Sequence, residues 1–159
     1  MGIATSLPPT SLRVEQHTAP GLNRAICERA NAEIMRLERA APAEISERLA
    51  VLEQEWDVER VLQTNASVLV LAGVVLGAGV DRRFLLLPAA VFSFFAQHAL
   101  QGWCPPIPVL RRLGIRTMRE IERERYALKA LRGDFDAVPR ADQATPNDRV
   151  RAALQAVDA

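Results

Sequence analysis

At 159 residues the chain is long enough for one ordinary domain or two very small ones, which excludes a multi-domain enzyme. Its composition (49% hydrophobic, 25% charged, formal net charge +1, mean hydropathy +0.01) excludes collagen-like, disulfide-scaffold and strongly disordered classes. It also gives no global basic pull toward nucleic acid, and none is expected as a partner. The averages hide a partition: no charge occurs from Val61 to Val80 or from Phe84 to Leu110, 47 residues interrupted only by Asp81, Arg82 and Arg83.

Residues 1–21 contain Pro8, Pro9 and Pro20 without apolar periodicity and read as a flexible leader. They lack the apolar centre of a secretory signal. Gly2 and Ser6 fit the N-myristoylation pattern. Nineteen arginines against the single Lys129, however, point to a GC-rich bacterial gene, in which that modification is not expected. His17 carries no argument.

From Leu22 a stripe of Leu22, Ile26, Ala30, Ile34, Leu37 and Ala41 predicts one amphipathic helix, stopped by Pro42. Ile45, Leu49, Leu52 and Trp56 predict a second, with nothing to prevent it running on into the uncharged stretch. Residues 22–60 thus form a cytosolic helical arm, an antiparallel pair or a dimer seam. Cys27 is expected to pack near its stripe.

Val61–Val80 and Phe84–Trp103 are 20 residues each, about 30 Å as α-helix and so a match to bilayer hydrocarbon. Ten residues of the first and nine of the second are Leu, Val or Phe, each favouring insertion by roughly 0.3–0.6 kcal/mol. Gln63, Thr64, Asn65 and Ser67 oppose this, and leave a fully apolar run of only Val68–Val80. The flanks decide for a membrane: Trp56, Trp103, Arg60, Arg111 and Arg112 stand where interfacial anchors belong. Arg48, Arg60, Arg111, Arg112, Arg116 and Arg119 outnumber Arg82 and Arg83 in the turn, so the positive-inside rule puts both termini in the cytoplasm.

The chain leaves the membrane at Cys-Pro-Pro-Ile-Pro, because proline lacks the helical donor. Thr117 and Glu120 form a capping box that opens a charged helix over 117–133, which Gly133 ends. This helix reads as a solvated face laced with ion pairs. Residues 134–159 are a polar tail in which a short helix after Thr145-Pro146 would carry Val150, Leu154 and Val157 on one side.

Setting Val61 beside Trp103 pairs Ser67 with Gln97, Ala66 with His98 and Gln63 with Gln101. Gln63, Asn65, Ser67, Gln97, His98 and Gln101 then form a polar cluster in the cytoplasmic third, hydrogen-bonded across the hairpin or snorkelling to headgroups. Gly73 and Gly77 make a GxxxG, faced by Ala89 and Ser93, and serve helix packing within the hairpin or between protomers. Cys104, placed at the interface by the proline-broken backbone, is the candidate reactive thiol. Arg60 should lie near and favour its thiolate, while Asp57 and Glu59 would oppose that. With no CxxC or zinc spacing, neither a metal site nor independent dithiol chemistry is expected. A Cys-Pro pair can also ligate haem, with His98 as second ligand, but no cofactor is expected here.

Trp56-Asp57-x-x-Arg60, Gly73-x-x-x-Gly77, Gly102-Trp103-Cys104-Pro105 and Leu113-Gly114-Ile115 together resemble the YgaP-like inner-membrane transmembrane domain, over residues 56–116. The resemblance implies a two-helix hairpin with both ends cytoplasmic. Some members carry a fused rhodanese domain, which implies a link to sulfane sulfur. This chain lacks a rhodanese loop, so such a link would need a separate sulfurtransferase-type partner.

The expectation is an all-α protein: a membrane hairpin over 61–116 flanked by cytosolic amphipathic helices. It is a non-enzymatic, multi-pass protein of the bacterial inner membrane whose partners are the lipid bilayer, further copies of itself and a cytosolic protein. The alternatives are a sulfur-handling membrane protein using Cys104 as persulfide carrier, and a soluble all-α bundle with the apolar hairpin at its core.

Overall fold

A computed structural model describes residues 9–159, and every element in them is helical. The Gly2–Ser6 pattern and Pro8 lie outside the described residues. In chain order the helices are α1 (Arg13–Gln16), α2 (Pro20–Leu37), α3 (Pro42–Gln54), α4 (Val58–Gly79), a 3-10 turn (Arg82–Leu85), α5 (Leu86–Gln101), α6 (Ile107–Arg112), α7 (Met118–Arg132) and α8 (Pro146–Asp158). They group into two compact units. One comprises the residues up to Glu28 with Trp56–Glu120, the other Arg29–Glu55 with Ile121–Ala159.

The first unit contains the hairpin. The helix ahead of it does not run on as expected. α3 stops at Gln54 and Glu55 turns extended; the Asp57 carboxylate then starts α4 afresh by accepting the Arg60 N–H at 2.9 Å. The orphan Val58 N–H at this new start donates to the Arg116 carbonyl at 2.9 Å. Asp81 accepts the Arg83 N–H at 2.8 Å and so opens the 3-10 turn. α5 ends at Gly102, whose φ of +79° suits a left-handed cap. Two helical stretches, one ending at Gly79 and the other Arg82–Gln101, are long and apolar enough to cross a membrane.

The hairpin is packed inside out. Its buried positions between the two apolar helices are Gly73, Gly77 and Pro88, while Val68, Leu71, Val75, Leu86 and Phe92 are all exposed. A Cβ at Gly73 would overlap the Pro88 ring, and one at Gly77 would meet the end of Leu85. Both glycines are therefore spent on contact within the hairpin. Ala89 and Ser93, expected opposite them, are exposed instead, with Ser93 Oγ donating to the Ala89 carbonyl at 2.8 Å. The register differs from the expected pairing because Trp103, taken as the partner of Val61, lies beyond the end of α5. His98 meets Glu59 rather than Ala66, two turns further along α4.

The apolar core of this unit lies at the open end of the hairpin. Val14, Val58, Leu62, Cys104, Ile107 and Leu110 are buried there, with Val61, Phe95 and Ile115 packed against them. The leader, expected to be flexible, supplies Val14 from the helical turn α1. Gly102 lies so close to Arg13 that a side chain there would strike its backbone. The Pro-Pro-Ile-Pro exit, expected only to end a helix, also begins one. Pro108 sits in the first turn of α6, where the missing N–H costs nothing.

α6 buries Arg111 at 1% exposure, so this residue is not the interfacial anchor expected. Its guanidinium donates to both Glu120 oxygens at 2.7 Å, to Asn23 Oδ1 at 2.9 Å and to the Ile115 carbonyl at 3.0 Å. Glu120 Oε2 also accepts the Thr117 N–H at 2.8 Å, while Thr117 Oγ1 accepts the Glu120 N–H at 3.3 Å. That is the capping box the sequence predicts. Burial alone would raise the Glu120 pKa, but the Arg111 and Thr117 hydrogen bonds outweigh it and hold the carboxyl below its ordinary value.

In the second unit Leu37, Ile45, Leu49, Leu52, Ile121 and Leu128 form the core, joined by Ile34 and Ala40. Of the stripe predicted for α2, Ile26 and Leu37 are buried, Leu22, Ala30 and Ile34 half-buried and Ala41 exposed; of that for α3, Ile45, Leu49 and Leu52 are buried, while Trp56, which follows the helix, is exposed. α7 is more than a solvated face: Glu124 is fully buried and pairs with Arg48 at 2.7 Å, while Glu122–Arg125 is an exposed-edge i,i+3 pair at 2.9 Å. The expected polar tail contains a 13-residue helix, α8, capped by Thr145 accepting from Asp148 N–H. α8 buries Ala156 and leaves Val150, Leu154 and Val157 exposed, because Lys129 Nζ donates to the Val157 carbonyl at 2.7 Å and fixes that side inward.

Arg111→Met should destabilise the protein by about 3–5 kcal/mol in chemical unfolding, since it leaves Glu120 partly buried without its cation. Because folding lowers the Glu120 pKa, this pairing contributes in full above the ordinary glutamate value of 4.5 and is lost as pH falls through the depressed one. Glu120→Gln should accordingly flatten the acid limb of stability against pH. Gly73→Ala should destabilise the protein by about 1–3 kcal/mol and lower its melting temperature more than Gly77→Ala does, because a proline ring cannot turn aside as a leucine tip can.

Candidate functional site

Glu59 stands in the first turn of α4 because Asp57 caps that helix, and His98 stands one turn before the Gly102 cap of α5. The open end of the hairpin brings the two together: His98 Nε2 lies 2.9 Å from Glu59 Oε2. The other Glu59 oxygen accepts from Arg13 Nη2 at 2.8 Å. One carboxylate thus ties α1, α4 and α5.

His98 is 1% exposed and its Nδ1 makes no hydrogen bond of ordinary geometry. Cys104, 2% exposed, is part of the apolar core at the same open end, against which Phe95 packs. Phe95 tilts toward the imidazole at 6.4 Å between ring centroids. The Glu59 carboxylate orients the imidazole and is itself held by Arg13, which leaves His98 Nδ1 as the unengaged nitrogen. Among the described residues no group of three His, Cys, Asp or Glu side chains is arranged to hold a metal ion.

The other residues singled out from sequence are dispersed. Gln63 and Ser67 line a groove of about 510 Å³ between α4 and α5, with Val70, Val74, Phe92 and Phe95. Thr64 and Ser67 hydroxyls donate back to the Arg60 and Gln63 carbonyls at 2.8 and 2.7 Å, so they are satisfied along their own helix. Asn65 and Gln101 are exposed and Gln97 is half-buried. Only His98 of the expected polar cluster is fully buried. Arg60, expected beside the thiol, is exposed and lies over the Trp56 ring at 4.4 Å. Trp103 is half-buried, Arg112 exposed, and Cys104 buried where exposure was expected. Arg13 had no sequence signal, since a single arginine in a proline-bearing leader has no period to belong to.

No family model, no curated protein and no solved structure matches this chain.

Proposed function

We propose that the chain is a multi-pass protein of the bacterial inner membrane, both termini cytoplasmic, whose hairpin anchors helical arms for interaction rather than catalysis. The observation that carries this reading is the inverted packing of the hairpin. Only 17% and 11% of its most apolar windows are buried; apart from Leu62 and His98 at the open end, what is buried there is Gly73, Gly77 and Pro88. In water, that many outward Leu, Val and Phe side chains would be a large apolar patch on a monomer. In lipid they are solvated, and small residues at the helix contact are what membrane packing selects. The same feature disfavours a soluble bundle with the hairpin at its core.

The orientation rests on the arginine count. Arg111 and Arg116 are buried in the folded protein, but the positive-inside bias acts on the chain as it inserts. The YgaP-like resemblance of residues 56–116 supports the same topology. Because Gly73 and Gly77 are occupied within the hairpin, we assign homo-oligomer contact to the exposed Ala89–Ser93 face. A cytosolic partner of sulfurtransferase type belongs to the second reading, a persulfide carrier that uses Cys104.

The protein should remain with membranes through alkaline carbonate extraction and require detergent for release; recovery in the soluble fraction would refute the anchor. A cysteine placed at Arg82 should react with a membrane-impermeant maleimide added outside intact spheroplasts. Protection there, with labelling only after lysis, would reverse the orientation.

A further inference from the structure

We infer that the groove between α4 and α5 seats an acyl chain of an anionic phospholipid whose phosphate is held by Arg60. The inference rests on the membrane reading above and names one lipid class within it. On α4, Arg60, Gln63, Ser67, Val70 and Val74 recur at spacings of three and four and so share one face of the helix. The last four line the groove, and Phe92 and Phe95 of α5 form its other wall. Its volume of about 510 Å³ is ample for a segment of hydrocarbon chain. Polarity falls along the groove in the order an amphiphile needs. A cation stands at the head, then an amide and a hydroxyl, then only aliphatic and aromatic side chains. The groove lies on a different side of α5 from Ala89 and Ser93, the face assigned to contact between copies.

Charge selects the headgroup. Arg60 is exposed over the Trp56 ring, and no carboxylate among the described residues pairs with it. The acids beside it in sequence are committed elsewhere. Asp57 is buried as the cap of α4, and Glu59 is held by Arg13 and His98. The Arg60 guanidinium is thus an uncompensated cation whose planar donors suit two phosphate oxygens at once. Trp56 beneath it is the aromatic residue expected at headgroup level. One turn on, the Gln63 carboxamide has no hydrogen-bond partner among the described residues and is free to donate to an ester carbonyl. A zwitterionic headgroup would bring its own cation up to Arg60, whereas an anionic one brings none.

The test uses the whole protein in mixed micelles containing equal amounts of phosphatidylglycerol and phosphatidylcholine, with retained lipids counted by native mass spectrometry. Phosphatidylglycerol should be retained in preference to phosphatidylcholine. Arg60→Gln should reduce that preference about fivefold, the value of one arginine at an anionic headgroup. Arg82→Gln removes the same charge at the hairpin turn and should leave the preference intact. Ser67→Phe, which fills the groove from an exposed position, should reduce retention of both lipids while the circular dichroism stays that of the parent. Equal retention of the two lipids by the unsubstituted protein would overturn the inference, as would an equal loss of preference in Arg60→Gln and Arg82→Gln. Crosslinking of two copies through a cysteine at Leu71, with no lipid preference, would assign the groove to a second copy instead. A protein that resists carbonate extraction yet shows no preference refutes this site alone, whereas recovery in the soluble fraction refutes the membrane reading with it.

Discussion

A guanidinium taken out of water must be paired, and the burial of Arg111 constrains much of the first unit. The desolvation penalty for such a cation is several kcal/mol, offset only where its donors meet acceptors in good geometry. Glu120, Asn23 and the Ile115 carbonyl supply them from the start of α7, the start of α2 and the loop between α6 and α7. Two nearby segments, at Ile115 and Glu120, and one 88 residues away, at Asn23, are thereby held to one side chain. The same loop supplies the Arg116 carbonyl to Val58 N–H, so the first turn of α4 is anchored to it as well. Arg111 Nε is left without a partner, the residue of a site built around the two terminal nitrogens.

Glu120 has two tasks in this arrangement. As the third residue of a capping box it satisfies an orphan N–H at the head of α7, and as a carboxylate it neutralises Arg111. The two tasks reinforce each other, because each hydrogen bond that fixes the carboxylate improves its geometry for the other. The short helix α6 serves this pairing by presenting Arg111 inward while Ile107 and Leu110 fill the core beside it.

The fold was legible wherever period or end-signal was local. The stripes of α2 and α3, the box at Thr117–Glu120, the stop at Gly133 and the Thr145-Pro146 start each involve residues within a few positions of one another. The turn at Asp81 and the close approach of Gly73 and Gly77 could be read the same way. What could not be read was pairing at long sequence separation. Arg111 has the composition of an interfacial anchor, and only the position of Asn23 and Glu120 in space makes it a buried clamp. The register of the hairpin failed for a related reason. Gly102 ends α5 before Trp103, so a residue assumed helical supplied the wrong zero, and His98 moved from Ala66 to Glu59.

That shift of register changes what the open end of the hairpin is. Opposite Ala66, His98 would be one polar residue among several in an apolar span, best satisfied by water or headgroups. Opposite Glu59 it is oriented by a carboxylate, and the carboxylate is in turn held by Arg13 from the leader. The leader's helical turn also contributes Val14 to the cluster that covers Cys104, and it fits only because Gly102 has no side chain. The residues that end α5, close the core and surround the thiol are therefore one construction. Gly102 permits α1 to approach, and α1 brings Arg13 to the Glu59 carboxylate and Val14 to the core that covers Cys104.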